Sequence, residues 1–420
     1  MSFASLGLGS EILKAIQDTG YKIPTPIQSE SIPFILDGHD LTGIAQTGTG
    51  KTAAFTLPML ERLYSNRNRA SRKTRVLVLS PTRELVVQIE ENVRVYAKYI
   101  PLEVATVYGG VGEKPQKKAL RDGVELIIAT PGRLMDLMGQ GCANFSECEF
   151  FVLDEADRML DMGFLPNVRK IVSSLPKNRQ TLLFSATLSR EIEKLTREFQ
   201  RAPKFVEIGK RTNPADTVEQ FLYEVPKAQK IGLLKHLLEN NDLYSVLVFT
   251  RTKHGADRVA KQLGKSGVAT GAIHSNRTQN QRARALNDFK QGKIRVLVAT
   301  DIAARGIDVE GITHVVNLDF PPTPEDYIHR IGRTGRAKTE GTAISFITNE
   351  DNNALRNVER FMKKSIIRRR AKGFVFNQQS FSQSREGNQS PRKSSKRGRP
   401  VSNKDFSKPS PRKRRNFRRN

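Results

Sequence analysis

The chain reads as two α/β domains in tandem, each a parallel sheet covered by helices, with a basic tail after the second. Three features of its 420 residues carry that reading. Short apolar runs recur, helical patterns fill the intervals, and the composition changes abruptly near residue 367.

The runs are Val76–Ser80, Leu126–Thr130, Phe150–Asp154 and Thr181–Ser185, then Val246–Thr250, Arg295–Thr300, His314–Leu318 and Thr342–Ile347. They are short, rich in Val, Ile and Leu, and free of polar alternation, which suits strands buried on both faces of a parallel sheet. Helical patterns at Arg83–Tyr99, Arg190–Gln200 and Gly255–Leu263 alternate with them, as in doubly wound layers. Buried helix fragments are the competing interpretation, disfavoured by the shortness and β-branched content of the runs. The length exceeds that of one compact domain. A polar stretch containing Gly and Pro, Gly209–Asp216, reads as the linker. Arg75–Leu79 faintly echoes Arg295–Ala299, but only the first half carries a phosphate loop. If the halves are structural duplicates, one nucleotide belongs in the cleft between them.

Charge narrows the partners. Lys and Arg number 70 against 43 Asp and Glu, a formal net charge of +27. Such an excess attracts polyanions, because each neutralised phosphate releases a condensed counterion. Cys142 and Cys148 have no histidine nearby, so they lack the ligand set of a zinc site and read as thiols in a reducing compartment. No basic stretch leads into an apolar core and cleavage site, and no apolar run nears the roughly 20 residues that span a bilayer. A cytoplasmic protein without a membrane partner is the expectation.

Residues 368–420 hold 18 Lys and Arg against Glu386 and Asp405, a net +16, and contain no Ile or Leu. Such a segment buries too little apolar surface to offset ordering entropy, so disorder is expected. Arg368-Arg369-Arg370 and Arg412–Arg415 would track phosphates, while Phe374, Phe376, Phe381, Phe406 and Phe417 could stack on bases. A solvated tail without function is the alternative.

Three motifs carry chemistry. Asp40–Ala45 reads as a strand and Thr52–Arg62 as a helix, so Ala45–Thr52 between them has the setting of a phosphate loop, with Ala45 replacing the usual first glycine. Backbone N–H groups around Thr47, Gly48, Thr49 and Gly50 would cradle phosphates, Lys51 would reach the β- and γ-phosphates, and Thr52 would hold Mg²⁺. Asp154-Glu155-Ala156-Asp157 follows a buried run, at the strand end where such sheets bind ligands. Asp154 is placed to hold Mg²⁺, directly or through water, and Glu155 to activate the attacking water. An isolated acidic tetrapeptide is usually a solvated turn, a reading weakened by the strand before it. In His329–Arg336, Arg333 and Arg336 are three apart and could converge on the γ-phosphate as arginine fingers. A basic helix surface is the plainer alternative.

Together with Ser185-Ala186-Thr187 and Pro81-Thr82-Arg83-Glu84-Leu85, these motifs resemble those of DEAD-box RNA helicases. Gly20–Gln28 resembles the family's Q motif, with Phe3 as its upstream aromatic. The likeness spans about residues 3–365, and the N-terminus and basic tail look most like the bacterial RhlE-type members. It implies two RecA-like parallel-sheet domains in tandem, over 1–208 and 217–366, joined by linker 209–216 and followed by a disordered basic tail, 367–420. It further implies ATP with Mg²⁺, Gln28 reading adenine, Phe3 stacking on the base and Asp308 touching the ribose. Ser185 and Thr187 would couple hydrolysis to closure through the acidic tetrad and His329. RNA would lie on Pro81, Thr82, Arg83, Gly109, Gly110, Thr130, Pro131, Gly132 and Arg133 of the first domain. On the second it would meet Thr252, Gln279, Arg282, Thr300 and Arg305. Backbone N–H groups and small residues suit contacts that ignore base sequence. Gly109-Gly110 could equally make a turn, and Ser185-Ala186-Thr187 a helix cap.

The resulting expectation is a monomeric, ATP-dependent RNA helicase that separates short duplexes and remodels RNA or RNA–protein complexes. An ATP-dependent RNA clamp or annealing chaperone is the alternative. Ribosomal or RNA-decay assemblies stand as candidate partners.

Overall fold

Parallel pairing organises every strand in the computed structural model, which describes residues 2–46, 48–65, 73–208, 218–240, 243–304, 309, 311–335 and 341–375. Thr47, Arg305, Asp308, Arg336, the linker 209–216 and the chain from 376 onward lie outside the described residues.

The first sheet holds β1 (Leu41–Ile44), β2 (Val76–Leu79), β3 (Val104–Val107), β4 (Leu126–Ala129), β5 (Phe150–Leu153), β6 (Gln180–Ser185) and β7 (Lys204–Glu207), in the order β3-β4-β2-β5-β6-β1-β7. The second holds β8 (Val218–Glu224), β9 (Val246–Thr250), β10 (Thr270–Ile273), β11 (Val296–Thr300), β12 (His314–Asn317), β13 (Gly341–Ile347) and β14 (Ile367–Arg368), in the order β10-β11-β9-β12-β13-β8-β14. The two orders are one pattern repeated, so the halves are structural duplicates. The echo between Arg75–Leu79 and Arg295–Ala299 does not mark that equivalence. It aligns β2 with β11, whereas the strand equivalent to β2 is β9.

Side chains alternate across each strand, so both faces of the first sheet carry a core. Leu77, Leu79, Ile127, Phe151 and Leu183 pack on one face, and Val76, Val78, Ile128, Val152 and Leu182 on the other. Helices cover both, the architecture of tandem RecA-like domains. Cys142 and Cys148 are free and buried in the first of these cores, where burial pushes the Cys148 thiol up to about 12. No helix among the described residues is long and apolar enough to cross a membrane.

The second domain continues past the expected start of the tail. Ile367 and Arg368 pair with Phe221 and Leu222, and the Arg369 guanidinium lies 3.3 Å from the centre of the Phe221 ring. Phe374 packs against the core beneath, with its ring centre 5.5 Å from that of His236. The one aromatic residue of 367–375, Phe374, thus packs against the domain instead of leaving it, and the charges of Arg368 and Arg369 are met by Glu224 and Glu219.

Candidate functional site

The parallel sheets aim the loops that follow their strands toward a common cleft. A cavity of about 540 Å³ there is lined by Gln28, Gly48, Gly50, Lys51, Thr52, Asp154 and Glu155 of the first domain, and by Lys290 and Val309 of the second. Lys51 opens the helix Lys51–Ser65 and donates to the Ala45 carbonyl at 2.6 Å, so its ammonium is held inside the loop. Gly48 and Gly50 have φ of 85° and 93°, the left-handed region that glycine takes without strain. At Gly50 a Cβ would also collide with the Gln28 amide.

Gln28 lies in the first turn of the helix Pro26–Leu36. Its Oε1 accepts from the Thr25 N–H at 2.9 Å and its Nε2 donates to the Gly50 carbonyl at 3.2 Å, tying this helix to the phosphate loop. The aromatic residue that lines the cavity is not the expected Phe3. Phe3 is 5% exposed and packs with Leu6, Ile32 and Leu57, because its short helical turn, Phe3–Leu6, is itself part of the core. Tyr21, in the same Gly20–Gln28 stretch, lines the cavity instead. Its signal was present in the sequence, as an aromatic beside the prolines of a loop next to Gln28.

Asp154 and Glu155 follow β5 and are both buried. Burial and the adjacent Glu155 raise the Asp154 carboxyl above the usual range. Burial also pushes Glu155 upward, but the charges of Arg158, Lys51 and Arg333 outweigh it and hold Glu155 low. Glu155 sits at φ 53°, a left-handed conformation costly for a residue with a Cβ and typical of over-determined sites. Its carboxylate pairs with Arg158, a partner that the sequence motif did not single out. The Asp154 Oδ1 is buried and has no hydrogen-bond partner among the described residues. A buried carboxylate oxygen without a hydrogen-bond partner, in a cavity that Thr52 also lines, fits a divalent cation, so the donor set suits Mg²⁺.

The residues that the family resemblance assigns to coupling converge. Asp157 Oδ2 accepts from the N–H groups of Ala186 and Thr187, both at 3.1 Å, and from the Thr187 hydroxyl at 3.3 Å. Ser185 donates to the Thr187 carbonyl at 2.8 Å. From the second domain, His329 Nδ1 comes within 4.0 Å of Asp161 Oδ2, and the charges on Asp157 and Arg333 act on its ring. Arg333 is 7% exposed, and its Nε donates to the His329 carbonyl at 3.2 Å.

A second cavity, about 470 Å³, is lined by Pro81, Thr82, Arg83, Gly109, Thr130, Gly132 and Arg133, with Ser275 and Arg282 opposite. Pro131 is buried beside it, opening the helix Pro131–Gly139. Gly109-Gly110 makes a turn, with Gly110 at φ 85°, and a Cβ on Gly110 would collide with the Arg83 guanidinium. The turn and the contact are therefore one device. Thr82 and Thr252 each cap a helix, accepting from Leu85 at 3.4 Å and Gly255 at 3.0 Å. Thr300 ends β11. Gln279 and Arg282 face the first domain: both donate to Glu84 Oε1, at 3.3 and 2.8 Å. Glu84 is the residue that the sequence reading passed over, although it lies inside Pro81–Leu85.

A family model described as DEAD/DEAH box helicase matches residues 25–195, and one described as helicase conserved C-terminal domain matches residues 229–338. The DEAD-box ATP-dependent RNA helicase CshA of Bacillus cereus is 39% identical over 367 residues, 87% of this chain and 69% of that protein. S. cerevisiae Dbp5 bound to RNA and ADP BeF3 superimposes with a TM-score of 0.77 at 31% identity, covering 88% of this chain and 95% of that one. Mss116p bound to ssRNA and AMP-PNP gives 0.78 at 28% identity, covering 89% and 80%. The chain belongs to the DEAD-box ATP-dependent RNA helicases, which couple hydrolysis of ATP, taken with Mg²⁺, to work on RNA.

Proposed function

We propose that one ATP and one RNA strand draw the two domains together, that Glu155 and Arg333 then hydrolyse the ATP, and that release reopens the cleft. The observation that carries this is that Arg333, buried in the second domain, lies near enough to Glu155 for its charge to act on that carboxylate. A buried carboxylate of the first domain is held in its charged form partly by an arginine of the second. Lys51 takes the β- and γ-phosphates once they displace the Ala45 carbonyl. Thr52 and Asp154 would hold Mg²⁺, which would supply charge neutralisation of the phosphates. Glu155 orients the attacking water and takes its proton, and Arg333, joined by Arg336, stabilises charge developing on the γ-phosphoryl.

Gln28 selects adenine. A primary amide has two N–H donors and two acceptor lone pairs. With Thr25 and Gly50 satisfied, one N–H and one lone pair remain for the N7 and N6 edge of the base, while Tyr21 stacks on its face. Ser185, Thr187 and His329 transmit closure through Asp157, and Asp308 takes the ribose. RNA runs along Thr82, Arg83, Gly109, Gly110, Thr130 and Arg133, then Thr252, Thr300 and Arg305. The tie from Glu84 to Gln279 and Arg282 supports giving these last two a share in closure as well as in RNA contact. Dbp5 and Mss116p, which this fold matches, hold RNA together with nucleotide analogues, and this supports a single closed state for both ligands.

Domains over 1–208 and from 217, a cytoplasmic monomer, RhlE-type membership, a tail that contacts RNA, and ribosomal or RNA-decay partners complete the proposal. Glu155→Gln tests its core. RNA-stimulated ATP turnover should fall at least about 10²-fold while RNA binding with ATP persists. Unchanged turnover would remove Glu155 from the mechanism.

A further inference from the structure

Two helices from opposite domains connect the cavities. Helix 83–96 starts at the RNA cavity with Thr82 and Arg83, and Gln88, Glu91 and Asn92 farther along it line the nucleotide cavity. These three stand four, seven and eight residues beyond Glu84, one face of a helix. Helix 279–290 runs the same way, beginning at Gln279 and Arg282 on Glu84 and ending at Lys290 in the nucleotide cavity. Eleven residues bring a helix back to within about 20° of its starting face after a rise of about 16 Å. Lys290 therefore projects from nearly the same side as Gln279, one cavity farther on.

We propose that Lys290 is a nucleotide-contacting residue donated by the second domain, delivered to the α-phosphate of ATP when Glu84 ties the first turn of its helix. The inference rests on the closure reading above and gives it a physical route. An ammonium donates hydrogen bonds and accepts none, so its match in this cavity is an anion. Lys51 and Mg²⁺ would serve the β- and γ-phosphates, which leaves the α-phosphate with backbone N–H groups of the loop but no cation. Arg282 and Lys290 share one rigid helix, so RNA that favours the Glu84 tie raises nucleotide affinity, and nucleotide raises RNA affinity by the same factor.

The competing partner is Glu91, which lines the same cavity from the first domain. Calorimetric titration of the full chain with a non-hydrolysable ATP analogue, at saturating single-stranded RNA, separates the two. Lys290→Ala should weaken analogue binding about fivefold, the scale of one solvent-accessible ion pair, Lys290→Arg should retain most of it, and Glu91→Ala should cause no loss. Equal losses for Lys290→Ala and Glu91→Ala would make the ammonium one half of a cross-domain pair and overturn the proposal. Unchanged affinity in Lys290→Ala, in a protein whose wild type binds the analogue more tightly with RNA, overturns this inference alone. A wild type whose analogue affinity ignores RNA sinks the closure reading beneath it.

Discussion

The two domains repeat one topology yet treat their first helix in opposite ways. After β1 the chain turns through glycines into Lys51, with Asp154 and Glu155 following β5 nearby. After β8 it reaches Lys230, and Asp319 follows β12 in the place corresponding to the acidic pair. Lys230 is also buried, but its Nζ donates to the Phe346 carbonyl at 3.4 Å and lies 3.8 Å from Asp319 and 4.0 Å from Asp351. One domain leaves its lysine and carboxylates facing a cavity; the other neutralises its lysine internally. At the RNA end they agree: Thr82 and Thr252 follow the equivalent strands β2 and β9, while Thr130 follows β4 and Thr300 ends its counterpart β11. On the proposed function, a duplicated scaffold that meets RNA alike on both halves but binds nucleotide on one would give RNA a way to align them. The second domain would then contribute to ATP only through what it brings across, Arg333 above all.

The harshest way to break that comparison is Arg333→Ala. If the first domain cannot hydrolyse ATP alone, RNA-stimulated kcat falls about 10³-fold, as for other trans-acting arginines, and ATP binding to Lys51 and Thr52 survives. A loss below tenfold in steady-state turnover would mean that the first domain is self-sufficient and the asymmetry has another purpose.

Lys230 and Lys51 sharpen it next. Lys230→Met keeps the apolar stem and removes the charge that Asp319 and Asp351 face, so the second domain should lose about 2 kcal/mol in urea unfolding of the nucleotide-free protein. Lys51→Met should do the reverse, leaving stability nearly intact and abolishing ATP binding. Equal stability losses at both positions would show that the two lysines are the same structural element and that only the glycine loop distinguishes the domains.

The sequence exposed what is buried on both sides. Val76–Leu79, Leu126–Ala129, Phe150–Leu153 and Val246–Thr250 lie inside their sheets, so nothing interrupts their apolar runs. The strands it missed are mostly at edges, where one side meets solvent or helix. Val104–Val107 alternates, Lys204–Glu207 is largely exposed, Thr270–Ile273 is half-buried, and Ile367–Arg368 is two residues long. Site residues were legible where they belong to a contiguous motif, such as Lys51 or Asp154. They were illegible where partners meet across more than 100 residues, as Glu84 does with Gln279 and Arg282. Phe3 misled for a related reason: an aromatic ahead of the Q motif does not reveal in sequence whether it faces the cavity or the core, and here it faces the core.

The smallest expected effect concerns pH and comes from His329, the second-domain residue that faces the acidic tetrad. Burial lowers its pKa from the ordinary 6.5; Arg333 and Arg158 add to that, while Asp157 and Asp161 oppose it. The sign follows from which state binds more protons. With the domains together His329 prefers to be neutral, and with them apart its pKa returns toward 6.5, so the separated form takes up the proton first. Closure is therefore fully favoured above that ordinary value and weakens as pH falls through it toward the lowered one. RNA-stimulated ATP turnover at subsaturating RNA should decline between about pH 7 and pH 6, and the decline should be shallower in His329→Gln, which keeps a hydrogen-bonding side chain without the titration. If His329→Gln keeps the full decline, the proton acts elsewhere and the second domain meets the acidic tetrad without sensing pH. A decline that instead steepens as pH rises would mean that Asp157 and Asp161 outweigh burial, reversing the sign at this contact while leaving the role of Arg333 untouched.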